Sequence, residues 1–443
     1  MTPPSQNRPS EASLKRFAQA PGIGEGDGLR PVISRMTSAA GRCEMPVMTR
    51  WFGLLSIFFS IFAAFSAQPA AAPTEPEFVS VFVAGEQGYA CYRIPAMVTT
   101  RNGVVLAIAD GRLTGCNDIP NPLDLVLKRS RDQGRTWSPL QIIVPYGKVS
   151  DDADVYPGCG ITNPIPRVAA GDAALLLDRS DGRVWVLYDN GGHTPGRPHR
   201  RAIKLELRFS DDEGASWSGA IDVESQNPGL RPQGVDFLAG PGNGIQLARG
   251  THAGRLIFPV YIYGGPYYSS VIYSDDHGKT WRRGGNAGTG GGEIQVAETR
   301  DGGLLATIRN ATFPKAGVRF FNESVDGGET WGTPYFETKV QAAIPDPKCQ
   351  ASLLQLRPSA GMTNHWLVLA NAADPAARVN LTLRFSADYG RTWSRSLVAF
   401  RGKAAYSALT EMDSGEIGLL VEIDDYKRIG FARLPAVDSG PRH

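Results

Sequence analysis

Beyond residue 75 the apolar positions of this 443-residue chain fall in short runs separated by Gly, Pro, Asn, Asp and Ser. Runs such as "VIYS" (Val271–Ser274) and "LTLRFS" (Leu381–Ser386) have strand length. No stretch after residue 75 sustains the period of a long amphipathic helix, so the pattern predicts an all-β fold with many turns. Several runs end in one recurring octapeptide. It reads "SRDQGRTW" from Ser130, "SDDEGASW" from Ser210, "SDDHGKTW" from Ser274, "SVDGGETW" from Ser324 and "SADYGRTW" from Ser386.

The shared pattern, S-x-D-x-G-x-[TS]-W, joins a turn to a strand. Ser and Asp side chains accept backbone N–H bonds within a tight turn, and Gly supplies a positive φ. The Trp then enters the next strand and buries a large ring. Five of the eight Trp lie in these boxes, which marks them as packing units. Truncating Asp275 or Trp281 of the third box is expected to act on stability rather than on substrate binding. The box starts are 80, 64, 50 and 62 residues apart, a wide and uneven repeat that suits a radial array of small antiparallel sheets.

Composition supports this picture: 51 Gly and 32 Pro imply frequent turns. A net charge of +2 with 20% charged residues gives no global electrostatic case for nucleic acid. The six His are scattered without an HExxH or Cys/His cluster, and the boxes lack the D-x-D-x-D-G spacing of a calcium loop. Neither a metal nor a cofactor is expected.

The stretch "MTRWFGLLSIFFSIFAAFSAQPAAAP" from Met48 has the basic start, apolar core and small-residue end of a secretory signal peptide. The expected organisation is therefore an upstream segment 1–44, disordered or mis-called, a signal peptide over 45–72 and one all-β domain over 77–437. The mature chain is expected to begin between Gln68 and Glu75, exported to the periplasm or medium without a stable membrane anchor. In an oxidising compartment Cys91, Cys116, Cys159 and Cys349 allow three pairings, among which the sequence does not choose, and free buried thiols are the alternative to two bridges.

The boxes resemble the Asp-boxes of the sialidase (neuraminidase) superfamily. The resemblance implies a six-bladed β-propeller with the boxes on the face away from the active site. Roughly 360 residues remain for it, about 60 per blade, without room for an added lectin module. Boxes alone do not imply activity, so the chemistry must rest on other residues.

"CYRIPAM" (Cys91–Met97) places Arg93 in an apolar strand context and resembles the sialidase motif whose Arg grips the substrate carboxylate. Arg309, ending "GGLLATIRN", and Arg378, in "NAADPAARVNLTLRFS", stand in matching contexts. The resemblance implies that the three converge, since guanidinium forks bind a carboxylate bidentately at any pH. Glu293 opens "GGEIQVAETRDGGLLATIR" sixteen residues before Arg309 and resembles the Glu that activates the nucleophile. Its rival Glu298 better suits a structural role. Tyr406, in "GKAAYSALTEMDSGEIGLLVE", resembles the nucleophilic Tyr, and Glu422 resembles a residue that orients Arg93 from behind.

The loop "DGRLTGCNDIPNPLD" (Asp110–Asp124) lies where the family carries its acid/base Asp. Asp118 fits that role, with Asp110 and Asp124 as alternatives, and Arg112 resembles an extra basic residue lining the pocket. Together these features imply an exo-α-sialidase that removes terminal sialic acids from glycoproteins, glycolipids or other sialylated glycans. The implied reaction retains configuration through a tyrosyl-enzyme, and a monomer is expected. A trans-sialidase and a non-catalytic sialic-acid-binding propeller are the alternatives.

Overall fold

The computed structural model describes residues 75–147, 168–194, 197–232, 235–264, 267–312, 315–338, 341–357, 366–435 and Val437. The expected upstream segment and signal peptide lie outside them, as does Cys159. The described chain is all-β, with a four-residue helix, Val223–Gln226, capped by Asp222, and a 3₁₀ turn at Arg300–Gly302.

Its strands form five hydrogen-bonded sheets in a propeller-like arrangement. The first is a four-stranded meander: Cys91–Thr99, Val105–Arg112, Leu123–Ser130 and Gln141–Val144. A second contains Ala169–Leu177, Val184–Thr194 and Arg197–Ser210, and a third is built on Leu256–Tyr263 and Tyr268–Ser274. The fourth comprises Gly291–Glu298, Leu304–Asn310 and Phe320–Ser324. The last sheet has seven strands, because the 17-residue strand Arg395–Glu411 pairs first with Val379–Ser386 and then, beyond Ala404, with Ile417–Ile423. Five sheets thus stand where six separate ones were expected, since this strand runs unbroken through what would be a boundary.

The chain closes on itself. Val79–Val83 pairs antiparallel with Arg428–Leu434, Val79 opposite Phe431, so the N-terminal strand completes the C-terminal sheet and covers its edge. The innermost strands, such as Cys91–Thr99 and Gly291–Glu298, are buried along their whole length. Sheets pack against both of their faces, which is why their sequences read as apolar runs rather than alternations.

All five octapeptides adopt one turn. In the first, Ser130 Oγ donates to Asp132 at 2.8 Å and accepts from the Gly134 amide at 2.7 Å. Asp132 accepts from the amide and hydroxyl of Thr136 at 2.9 and 2.6 Å. The Thr136 hydroxyl bond leads in drawing the Asp132 carboxyl down to about 2. In the third box this part belongs to Asp276, which accepts from Thr280. Asp275, expected there, instead pairs with Arg255 at 2.7 and 3.0 Å, because only the third position of the box faces back into the turn.

The box glycines explain the repetition. A Cβ on Gly134 would come within 1.9 Å of Phe431, and one on Gly278 within 2.3 Å of Trp185. On Gly214 it would meet Leu106 at 3.2 Å, on Gly328 Val271 at 2.8 Å and on Gly390 Leu305 at 2.2 Å. In each case the neighbour belongs to the preceding sheet, and the last sheet precedes the first. The box Trp lie at the same seams: Trp137 meets Phe431 with centroids 5.4 Å apart, and Trp281 meets Trp185 at 6.2 Å. Trp281 is fully buried, whereas Trp137, Trp217, Trp331 and Trp393 are half-buried and lid the joints from outside. The octapeptide is the device that docks each sheet onto the one before it.

Candidate active site

Four innermost strands carry a break in ladder register: at Arg93–Ala96, Gly171–Ala174, Gly291–Ile294 and Ala404–Ser407. A bulge bends a strand and re-aims its side chains. Arg93, Asp172, Glu293 and Tyr406 occupy these breaks, and all four line one cavity of about 740 Å³. Two of the bulges include a non-glycine residue in the left-handed region, Ile94 at φ 58° and Asp172 at φ 53°.

At the centre lies Tyr406. Its hydroxyl donates to Glu293 and accepts from Arg309 Nη1 at 2.6 Å, while the same Nη1 donates to the second Glu293 oxygen at 2.8 Å. Burial, then the Glu293 carboxylate, push the Tyr406 phenol well above its ordinary range, so the resting hydroxyl is neutral. The geometry sets a neutral hydroxyl against a carboxylate that can take its proton. Burial disfavours the charge on Arg309, but the Glu293 carboxylate outweighs it and the guanidinium is held above its usual value.

Arg93 is fixed from behind by Glu422, which accepts from Nε at 2.8 Å and Nη2 at 3.3 Å. The same carboxylate accepts from the amides of Ile94 at 2.7 Å and Tyr406 at 3.1 Å. Arg378 completes the basic side of the cavity, donating to the Tyr426 hydroxyl at 3.1 Å. With Arg93, Arg309 and Arg378 on its wall, the cavity is built to take an anion.

Of the three acid candidates, only Asp118 lines the cavity, with its side chain 66% exposed. Asp124 accepts from the Tyr89 hydroxyl and the Tyr146 amide. Asp110 is buried, paired with Arg112 at 2.9 Å and accepting from the Asp172 amide at 3.1 Å. Glu298 caps a turn, accepting from the amides of Ala248 and Arg249 at 3.1 and 2.8 Å. Arg112 departs from expectation: its side chain is 1% exposed and lies behind the cavity wall. Its Nη2 is taken by Asp110 and its Nη1 by Asp118 at 2.8 Å and the Cys116 carbonyl, which leaves it a supporting rather than a lining position.

The pairing left open by the sequence is resolved in part by a disulfide between Cys91 and Cys116, with Cα atoms 5.3 Å apart. Cys349 is a buried thiol, raised by burial to about 12. Among the described residues no group of three His, Cys, Asp or Glu is placed to hold a metal ion.

A family model described as a BNR repeat-like domain matches residues 123–419, more than half of the chain. An exo-alpha-sialidase of Aspergillus fumigatus is 30% identical over 362 residues, covering 76% of this chain and 80% of that protein. The chain belongs to the sialidase family. A sialidase of Micromonospora viridifaciens is 34% identical over 356 residues, covering 77% of this chain. The alignment takes in 51% of that relative, so the chain spans about half its length. Among solved structures, the Hadza microbial sialidase Hz136 aligns with a TM-score of 0.67 and 28% identity, over 81% of this chain and 68% of that one.

Within this sialidase-family site, sequence reasoning missed two residues. Asp172 is a lone carboxylate in the apolar run "AAGDAALLL", and that interruption was its available signal. Burial, then the neighbouring Asp110 and Asp118, push its carboxyl well above the usual range. Tyr426 stands in the hairpin "DDYK", whose Asp424, Asp425 and Tyr426 all have φ between 56° and 64°. Its ring lies 4.4 Å from the Arg93 guanidinium carbon while its hydroxyl holds Arg378, so it links two cavity arginines. No local pattern announces that link.

Proposed function

We propose that this protein is an exported exo-α-sialidase, releasing terminal α-linked sialic acid from glycoconjugates with retention of configuration. The observation that carries the reading is the Tyr406 hydroxyl held between Glu293 and Arg309 on the floor of an arginine-walled cavity. Sialic acid bears a carboxylate on its anomeric carbon, which repels an anionic nucleophile. A neutral phenol avoids that repulsion, and sialidases with a Tyr nucleophile stand outside the two-carboxylate scheme.

Arg93, Arg309 and Arg378 hold the carboxylate and set the anomeric carbon over Tyr406. Glu293 takes the phenolic proton as the Tyr406 oxygen bonds to that carbon, while Asp118 protonates the departing glycosidic oxygen. Water, deprotonated by Asp118, then attacks the glycosyl-tyrosine from the vacated face, and the phenolate recovers its proton from Glu293. Two inversions give net retention. We further propose that the seven-stranded sheet works as two blades sharing Arg395–Glu411, so that six blades surround the site, and that the secreted or periplasmic enzyme is a monomer.

Incubation of the purified protein with α2,3- and α2,6-sialyllactose, followed by proton NMR, tests the reading. Release of free α-sialic acid before mutarotation supports it. A β first product rules out retention, an anhydro product or transfer to a second glycan assigns the site to transglycosylation, and no product with measurable binding identifies a lectin-like propeller.

A further inference from the structure

The acid loop has little to hold its shape. Between strands Val105–Arg112 and Leu123–Ser130 its backbone makes few bonds, among them Leu113 to Pro122 and Asn121 to Asp118, each 3.1 Å. Thr114, Cys116, Asn117 and Asp118 are exposed, and Ile119 alone anchors the far side, in a small cluster with Leu123, Ala169, Ile203 and Leu238. An acid that must stay within hydrogen-bond reach of a leaving oxygen cannot wander with such a loop.

Two ties converge on it from one rung of the sheet. Cys91 and Arg112 face each other as ladder partners. From that rung the disulfide grips Cys116, and Arg112 grips both the Cys116 carbonyl and the Asp118 carboxylate. The cross-link adds nothing to the pairing of the two strands, which are already ladder partners from Cys91 to Arg93 and again from Ala96 to Thr99. It acts four residues beyond the ladder, on the loop itself. Cys91 also lies two residues before Arg93, so the loop is tied to the strand that offers a guanidinium to the substrate carboxylate.

We propose that the Cys91–Cys116 disulfide is a positioning element for acid catalysis, holding Asp118 at the leaving oxygen, a proposal that rests on the sialidase reading above. Its signature is dependence on the leaving group. A sugar alcohol cannot depart without a proton, whereas an acidic phenol can.

The test compares wild type with Cys91→Ser/Cys116→Ser on sialyllactose and on 4-nitrophenyl sialoside. Opening the disulfide is expected to lower kcat/KM on sialyllactose by about 10- to 100-fold, part of the usual worth of a positioned acid, and on the aryl sialoside by less than about threefold. Affinity for 2-deoxy-2,3-didehydro sialic acid should hold within about twofold, because the arginines are untouched. If the double variant fails to fold, folded wild type treated with a phosphine reductant, with cleavage of the disulfide followed by mass, supplies the same ratio. Equal losses on both substrates, or no loss on either, overturn the proposal while leaving the sialidase reading intact. A wild type that cleaves neither substrate overturns both.

Discussion

Glu422 takes the Arg93 guanidinium on two nitrogens, at 2.8 and 3.3 Å, from a position where the carboxylate is almost wholly buried. The pair spans 329 residues of sequence and joins the first sheet to the last. Because the same carboxylate also binds the Tyr406 amide, one buried anion sets both an arginine of the cavity wall and the strand that carries Tyr406. Desolvation opposes the charge on Arg93, but Glu422 prevails and holds the guanidinium above its ordinary value.

Glu422→Gln should therefore damage binding and turnover together. Removing one charge of a buried pair costs about 2–5 kcal/mol, because the other is left uncompensated. The expected result is a fall in kcat/KM of at least about 30-fold, with KM raised and the melting temperature lowered. Steady-state kinetics beside a thermal melt check this. An unchanged KM would mean that Arg93 does not need Glu422 to keep its orientation.

The boxes make the opposite prediction, stability without binding. Asp276→Ala removes the acceptor for the Thr280 amide and hydroxyl and should cost about 1–3 kcal/mol. Gly278→Ala should be at least as severe, since it forces φ 82° on alanine and drives its Cβ into Trp185. KM of the folded fraction should not move. A raised KM at unchanged melting temperature would show that the boxes reach the substrate.

How much of this was visible beforehand follows the range of the interactions. The turn chemistry of the octapeptide is complete within eight residues, so Ser130, Asp132, Gly134 and Thr136 announce their bonds in the sequence. What the box glycines touch is not local, and the contact of Gly134 with Phe431 could not be read from it. Arg93, Glu293 and Tyr406 stand in short motifs and were legible, but the bulges that turn them inward depend on ladder register with partner strands. Arg112 was misplaced because its burial depends on how the loop after it folds back, and Tyr426 went unseen because its two arginine partners are distant in sequence. The unbroken strand Arg395–Glu411 was hidden by "RGK" at its middle, which reads as a turn yet stays extended between two pairing partners.

Asp110 gives a pH dependence. Burial, opposed by Arg112 and aided by Asp118, pushes its carboxyl up to about 6. Its unfolded value lies near 3.9, so between about pH 4 and 6 the native state binds more of this proton than the unfolded state does. Stability from this group is thus complete below pH 4 and is lost as the pH rises through 6. The loss is about 1–3 kcal/mol, and Asp110→Asn should abolish it. Thermal melts of both proteins at pH 4.5 and 7 are the measurement. The variant should narrow the gap between the two pH values, leaving the part that belongs to Asp172, whose carboxyl burial also raises, and an equal gap in both proteins would show that Asp110 carries none of it.

The proposed reaction turns on the contact between Tyr406 and Glu293. If the phenolic oxygen forms the glycosyl bond, Tyr406→Phe deletes the one atom on which the mechanism depends. The ring keeps its packing between Arg93 and Arg378, whose guanidinium carbons lie 5.3 and 5.4 Å from its centre. Stability should therefore change by no more than about 1–2 kcal/mol, the worth of a buried hydroxyl's bonds. Turnover should fall by at least about a thousandfold, since Phe offers no nucleophile and Glu293 is left as an anion facing an anionic substrate. A purely structural Tyr406 would show the reverse, with stability lost and turnover kept. A 2,3-difluoro sialosyl fluoride separates the two without mutation, because fluorine beside the reacting carbon slows breakdown of the intermediate. Peptide mapping of the trapped wild type should find the sugar on the peptide that contains Tyr406. A label on Glu293 or Asp118 would move the nucleophile to a carboxylate and leave the neutral phenol without its role.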